Sequence, residues 1–197
     1  MKKILSEILP SSELAYIYNS YDIVGDIAII RLAKNSMKHS QVVAEALMSV
    51  HRNVKTVLAQ TGAVHGDFRL RKLEHIAGVD KTVTIHRESG CLLAVDVEKC
   101  YFSPRLLFER ARIAKLVKNG EIVLNMFAGV GSFSIIIAKH SDAQRIYSID
   151  VNPVAIHYMQ ENIRLNRVYG KIIPILEDAK QVKEILHNFA ESSYAIA

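Results

Sequence analysis

The chain has 197 residues, 50% of them hydrophobic, and carries a formal net charge of +5 with a pI near 9.2. That length buries a core in one or two small domains, and the basic excess suits a polyanionic partner or an ordinary solvated surface. Two cysteines, Cys91 and Cys100, exclude a disulfide framework and a CxxC metal knuckle. No apolar run is long enough to span a bilayer, and residues 1–12 (MKKILSEILPSS) lack the apolar stretch of a secretory leader. The expectation is a soluble, cytoplasmic protein.

Up to about residue 100 the chain reads as α+β. Residues 21–32 (YDIVGDIAIIRL) form a strand pair, or one long strand bent at Gly25. Residues 40–52 open on a serine cap and place Val43, Ala46, Leu47 and Val50 at helical spacing. Residues 54–60 make a strand, and residues 81–103 a hairpin folding at ESG, with both cysteines as reduced thiols in strands. Residues 103–120 (SPRLLFERARIAKLVKNG) then form a capped helix closed by Gly120. From there strands at 122–127, 145–150 and 171–176 alternate with helices at 132–140, 153–166 and 179–190. SYAIA, 193–197, opens a fourth strand. This predicts a parallel, doubly wound α/β sheet, incomplete at about four strands, behind a small α+β domain. The expected division is a lead at 1–13, an α+β domain at 14–102 and a truncated sheet domain at 103–197.

The turn MFAGVGSFS connects the first strand of that sheet to its helix. Gly129 and Gly131 remove side chains where backbone N–H groups and a helix N-terminus could meet a ligand. The third glycine of G-x-G-x-x-G is missing, so the pair alone fits a packing turn as well as a nucleotide site. Asp150 ends the next strand (IYSID) about twenty residues later, where a carboxylate can accept both hydroxyls of an adenosine ribose. Asn152 caps the following helix and Pro153 takes its first position. Asp178 ends IPILED, where it could accept from an adenine amino group or simply favour a helix N-terminus.

MFAGVGSFSI, YSIDVNPVAI, ENIRLN and IIPILEDAK resemble the class I S-adenosylmethionine-dependent methyltransferases with their Rossmann-like sheet. YDIVGDIAII, HGDFRLRKLEHIAG, TIHRESGC and VDVEKCYFSPRLLFERARIA narrow the resemblance to archaeal and eukaryotic tRNA (guanine-37-N1)-methyltransferases, over about residues 14–180. The resemblance implies methyl transfer from S-adenosylmethionine to N1 of guanosine-37, with the tRNA anticodon stem-loop as partner and neither metal nor membrane involved. It assigns the cofactor to Phe127, Ala128, Gly129, Gly131, Asp150, Val151, Asp178 and Ala179. N1 of guanine carries a proton, so a base is needed as the methyl arrives, and the matching carboxylate is Glu109. Charge building on O6 calls for a fixed cation, which the match places at Arg69 with Arg71 beside it. Tyr101 is matched to a position near cofactor and base, whereas Phe102 reads as core. Arg71, Lys72 and Arg105 are expected to contact RNA, and Arg110 to meet RNA backbone or pack. The bland alternative makes Glu109, Arg110 and Arg112 a charged helix face.

Three departures from that pattern shape the expectation. Asn125 stands where relatives carry an acid, which removes a negative charge facing the cofactor's amino group. The extra N-terminal domain of archaeal relatives has no counterpart in about a dozen leading residues. An asparagine-leucine-proline turn after the fourth strand is also missing, so a weak or inactive methyltransferase is expected. Alternatives are an aminocarboxypropyl transferase of wybutosine-type tRNA modification and a non-catalytic RNA-binding remnant.

Overall fold

In a computed structural model the described residues are 5–6, 10, 21–32, 34–64, 66, 68–184 and 187. They fall into two compact units, Met1–Glu88 with Ala94–Leu106, and Ser89–Leu93 with Leu107–Ala197.

The first unit is built on a four-stranded sheet ordered β1 (Tyr21–Val24), β2 (Ile27–Arg31), β3 (Thr56–Gln60) and β4 (Leu73–Gly78). β1 and β2 pair antiparallel, with Val24 opposite Ile27, so the sequence 21–32 is a strand pair turning at Gly25 and Asp26. β2 and β3 run parallel, a pairing that needs a crossover, and α1 (Ser40–Val50) supplies it. α1 packs Val43, Ala44, Ala46 and Leu47 with Ala28, Ile30, Val57, Ala59 and Ala77 into one core.

Two details differ from expectation. A 3-10 turn, Lys34–His39, runs straight into α1, so Ser40 lies inside the helix and His39 holds the cap position without a side-chain capping bond to the helix. Val50 points outward. β4 escapes pattern reading because only Ala77 among its residues is buried; its pairing with β3 defines it.

β5 (Val83–Glu88) and β6 (Cys91–Asp96) form the expected hairpin, turning at Ser89 and Gly90. The second strand stops earlier than predicted. The Asp96 carboxylate accepts the backbone N–H groups of Glu98 (3.0 Å) and Lys99 (3.2 Å), an Asx-type turn that ends the ladder. Cys100 therefore sits beyond the strand, although both cysteines are buried thiols outside any disulfide, as expected.

The second unit contains α2 (Leu107–Leu116), β7 (Ile122–Asn125), α3 (Ser132–His140), β8 (Arg145–Asp150), α4 (Pro153–Asn166) and β9 (Ile172–Leu176). The strands are parallel in the order β7-β8-β9. Residues 146–149 of β8 are all buried, the continuous run expected of a strand covered on both faces. Ile135, Ile136 and Ile137 of α3, with Ile146, Ile149 and Met159, are among its most deeply buried side chains. α2 ends at Leu116 and buries Arg110 and Ala114. After β9 come a 3-10 turn, Ala179–Gln181, and helical residues 182–184. The rest of the predicted 179–190 helix (residue 187 apart), the 193–197 strand and most of the 1–13 lead lie outside the described residues. Among the described residues no helix is long and apolar enough to cross a membrane, and no group of His, Cys, Asp or Glu could hold a metal ion.

Candidate cofactor and RNA sites

β7 ends at Asn125, two residues short of the predicted limit, and the chain turns through residues 126–131 into α3. Gly129 (φ +55°) and Gly131 (φ +79°) both take left-handed backbone, which disfavours any residue with a Cβ. At Gly131 an added Cβ would also lie 2.6 Å from Met159 Cγ. Gly131 is the cap of α3, and no side chain closes that helix N-terminus. The first N–H groups of a helix have no intrahelical partner, so an uncapped end favours an anionic or hydrogen-bonding ligand.

Asp150, at the carboxyl end of β8, braces the loop. Its Oδ2 accepts Gly129 N–H at 2.6 Å and its Oδ1 accepts Asn152 N–H at 2.9 Å. Ala128 N–H bonds Ile149 C=O at 2.9 Å and fixes the loop to the same strand. A carboxylate offers about four acceptor sites, so two protein bonds leave capacity for ribose hydroxyls. Ala128 is buried, whereas Phe127 is 82% exposed and Val151 also faces solvent. Asp178 caps the last 3-10 turn, its Oδ1 accepting Lys180 N–H at 2.9 Å, and Ala179 opens that turn. Asp178 thus serves as a helix-start residue, and its side chain is still about half exposed.

Asn152 is the cap expected from sequence: its Oδ1 accepts Val154 N–H (3.0 Å) and Ala155 N–H (3.4 Å) ahead of the α4 helix opened by Pro153. Asn152→Ala is expected to lower stability by about 0.5–2 kcal/mol in thermal or urea unfolding, and an unchanged midpoint would contradict the cap.

Sequence reasoning missed the supports beneath the loop. Asn125 Nδ2 donates to Ser134 Oγ (3.0 Å), which lies 2.7 Å from Ser148 Oγ, so β7, α3 and β8 are joined by a polar chain whose two serines are fully buried. Asn162 Nδ2 donates to Val130 C=O at 2.9 Å and holds the glycine turn against α4. Asn166 brackets the Leu92 backbone, accepting its N–H at 2.8 Å and donating to its C=O at 2.6 Å. The signal was legible in ENIRLN: two asparagines four apart on an apolar helix face are costly to bury without partners.

Glu109 lies in the first turn of α2, where both its oxygens take Arg112, at 2.7 and 2.8 Å. The Arg112 hydrogen bonds hold its carboxyl below the usual glutamate range, with the guanidinium charge acting in the same direction. The pairing favours the ionised acid, so it persists above the ordinary glutamate range and is lost as pH falls through the lowered value. Arg112→Ala should return the Glu109 titration upward, read by carboxyl NMR; an unmoved titration would contradict the pairing. Arg110 proves to be a packing residue, 1% exposed with its guanidinium 5.9 Å from the Phe133 ring centre.

In the first unit, Arg69 has left-handed backbone (φ +53°) and lies 5.7 Å over the ring of Tyr101, which is exposed. Phe102 is buried core, as expected. Lys72 is exposed, but Arg71 is only 9% exposed and bonds Asp22 Oδ2 at 3.3 Å, so it presents little surface to a phosphate. Arg105 bonds the other Asp22 oxygen at 2.7 Å and keeps a largely exposed side chain.

Comparison with known proteins places these features in a family. The TRM5/TYW2 methyltransferase domain model matches residues 84–191, and the TYW2 N-terminal domain model matches residues 1–82. The tRNA (guanine(37)-N(1))-methyltransferase Trm5b of Pyrococcus abyssi is 43% identical over 175 residues, covering 89% of this chain and 52% of the relative. Its crystal structure superposes with a TM-score of 0.80, over 88% of this chain and 52% of that one. The tRNA 4-demethylwyosine(37)-methyltransferase Taw21 of Saccharolobus solfataricus is 36% identical, over 92% of this chain and 73% of its own length. The P. horikoshii TYW2 structure in complex with MeSAdo is 33% identical with a TM-score of 0.70, covering 90% of this chain and 62% of that one. The chain spans about half the length of the Pyrococcus abyssi relative. The fold is that of the Rossmann-like class I methyltransferases, and the chain belongs to the TRM5/TYW2 methyltransferase family.

Proposed function

We propose that this protein transfers the methyl group of S-adenosylmethionine to N1 of guanosine-37 in tRNA. The observation that carries the reading is the Gly129–Gly131 turn at an uncapped helix end, braced by Asp150. That cradle suits an adenosyl group: Asp150 accepts the ribose hydroxyls, the side-chain-free glycines admit the ligand to the backbone, and Phe127 and Val151 offer apolar surface. Asp178 and Ala179, just beyond β9, would meet the adenine, Asp178 with the acceptor capacity its capping bond leaves. The cofactor supplies an electrophilic methyl on a sulfonium. Within the second unit, Glu109 takes the N1 proton after releasing Arg112. In the first unit, Arg69, steadied by Tyr101, offers its charge to guanine O6, while Lys72 and Arg105 contact the anticodon stem-loop. Arg71 serves instead as a buried partner of Asp22. The first unit is thus the RNA-positioning domain and the second the cofactor domain, of an enzyme working in the cytoplasm.

Some relatives are named for action on 4-demethylwyosine-37, one of them, 36% identical and from Methanocaldococcus jannaschii, as an aminocarboxypropyltransferase, and this together with the TYW2-named match of residues 1–82 favours a second reading, aminocarboxypropyl transfer. Incubation of the chain with labelled cofactor and two tRNAs, an unmodified transcript with guanosine-37 and a tRNA already carrying the tricyclic 4-demethylwyosine at position 37, followed by nucleoside mass spectrometry, separates the two readings. A methyl group on N1 of guanosine-37, even if slowly acquired, is the expected product. An aminocarboxypropyl group on a tricyclic base supports the second reading, and a methyl on any other nucleotide contradicts both.

A further inference from the structure

Asp22 has no RNA or catalytic role above, yet it joins Arg105, read as an RNA contact, to the buried Arg71. It lies on β1, and its partners are 49 and 83 positions away in sequence. One oxygen takes Arg71 Nη1 at 3.3 Å and the other takes Arg105 Nε at 2.7 Å. Asp22 and Arg71 are buried together, whereas the Arg105 side chain is 57% exposed. A single buried carboxylate needs one guanidinium as counter-charge, and Arg71 already provides it. The second, Arg105, keeps its side chain largely at the surface. Engaging Nε fixes the plane of the Arg105 guanidinium. A mobile arginine side chain must surrender part of its rotamer entropy when it grips a phosphate.

We propose that Asp22 is a positioning residue for RNA binding: it holds the Arg105 guanidinium in place for a tRNA phosphate, with Arg71 as the buried counter-charge that keeps the carboxylate inside the fold. The proposal rests on the reading of Arg105 as an RNA contact.

The test is tRNA binding by the 197-residue chain across a salt series, with thermal melts of every variant. The double variant Asp22→Asn/Arg71→Met leaves net charge unchanged and removes the buried pair as a unit, so general electrostatic attraction is preserved. It is expected to bind tRNA about threefold to tenfold more weakly at moderate salt, with the slope of log K against log salt reduced by about one, as Arg105→Ala alone does. Adding Arg105→Ala to the double variant should cause no further loss. The single variant Asp22→Asn gives an independent reading by sign. Removing a negative charge near RNA tightens binding if charge alone matters, whereas loss of positioning weakens it. Parental affinity and slope in the double variant, or tighter binding in Asp22→Asn, would overturn the proposal while Arg105→Ala still weakens binding. If Arg105→Ala has no effect, the RNA-contact reading fails and takes this proposal with it.

Discussion

Gly131→Ala is expected to abolish measurable binding of S-adenosylmethionine and to lower the melting temperature. Two penalties act at one position. A non-glycine residue held at φ +79° costs about 1–3 kcal/mol. The new methyl would also meet Met159 Cγ at 2.6 Å, inside van der Waals contact, and Met159 is fully buried in the core. The flexible methionine could yield, but only by pressing on a packed interior, and overpacking typically adds about 1–3 kcal/mol. Any relaxation of the loop instead moves the backbone N–H groups that the ligand would use. Calorimetric titration alongside differential scanning measures both effects. Parental affinity in a variant with an unchanged melting temperature would show that the turn is not the cradle.

The second large effect is expected at Asp150. Asp150→Asn keeps the shape but replaces one accepting oxygen with an NH2 group, which then faces the N–H of Gly129 or of Asn152. The loop loses a charge-assisted brace and the ribose loses an ionised acceptor. Hydrogen bonds to charged groups contribute about 1.5–3 kcal/mol each, so affinity for S-adenosylmethionine should fall about tenfold to hundredfold. Free adenosine should lose affinity in the same proportion, because the contact is to the nucleoside. If adenosine binding were untouched while the full cofactor weakened, Asp150 would have to act on the methionine part instead.

Much of the second unit was legible because its signals are local. The helices at 132–140 and 153–166 and the strand at 145–150 match their predicted limits, since Gly131, Asn152-Pro153 and the short Ile146–Ile149 stretch ending at Asp150 mark them within a few residues. Signals spread over longer distances were not legible. Arg71 looks like any exposed cation in RLRK until Asp22, 49 positions earlier, is known to face it. Ser40 resembles a cap until the preceding 3-10 turn is seen to run into the helix. β4 has no alternation of its own and exists through pairing with β3. Asn125 could be noted as a departure from its relatives, but its bond into the buried Ser134–Ser148 pair depends on three elements meeting. Family resemblance assigned chemical roles to Arg69 and Glu109; what these residues touch, the Tyr101 ring and Arg112, came only from the fold.

The most direct measurement is isothermal titration of the chain with S-adenosylmethionine and, separately, with its demethylated product. A saturable one-to-one heat with both ligands, greatly reduced in Asp150→Asn, is the predicted result. A folded chain giving no heat with either ligand would contradict the claim that the Gly129–Gly131 turn and Asp150 together form an adenosyl site.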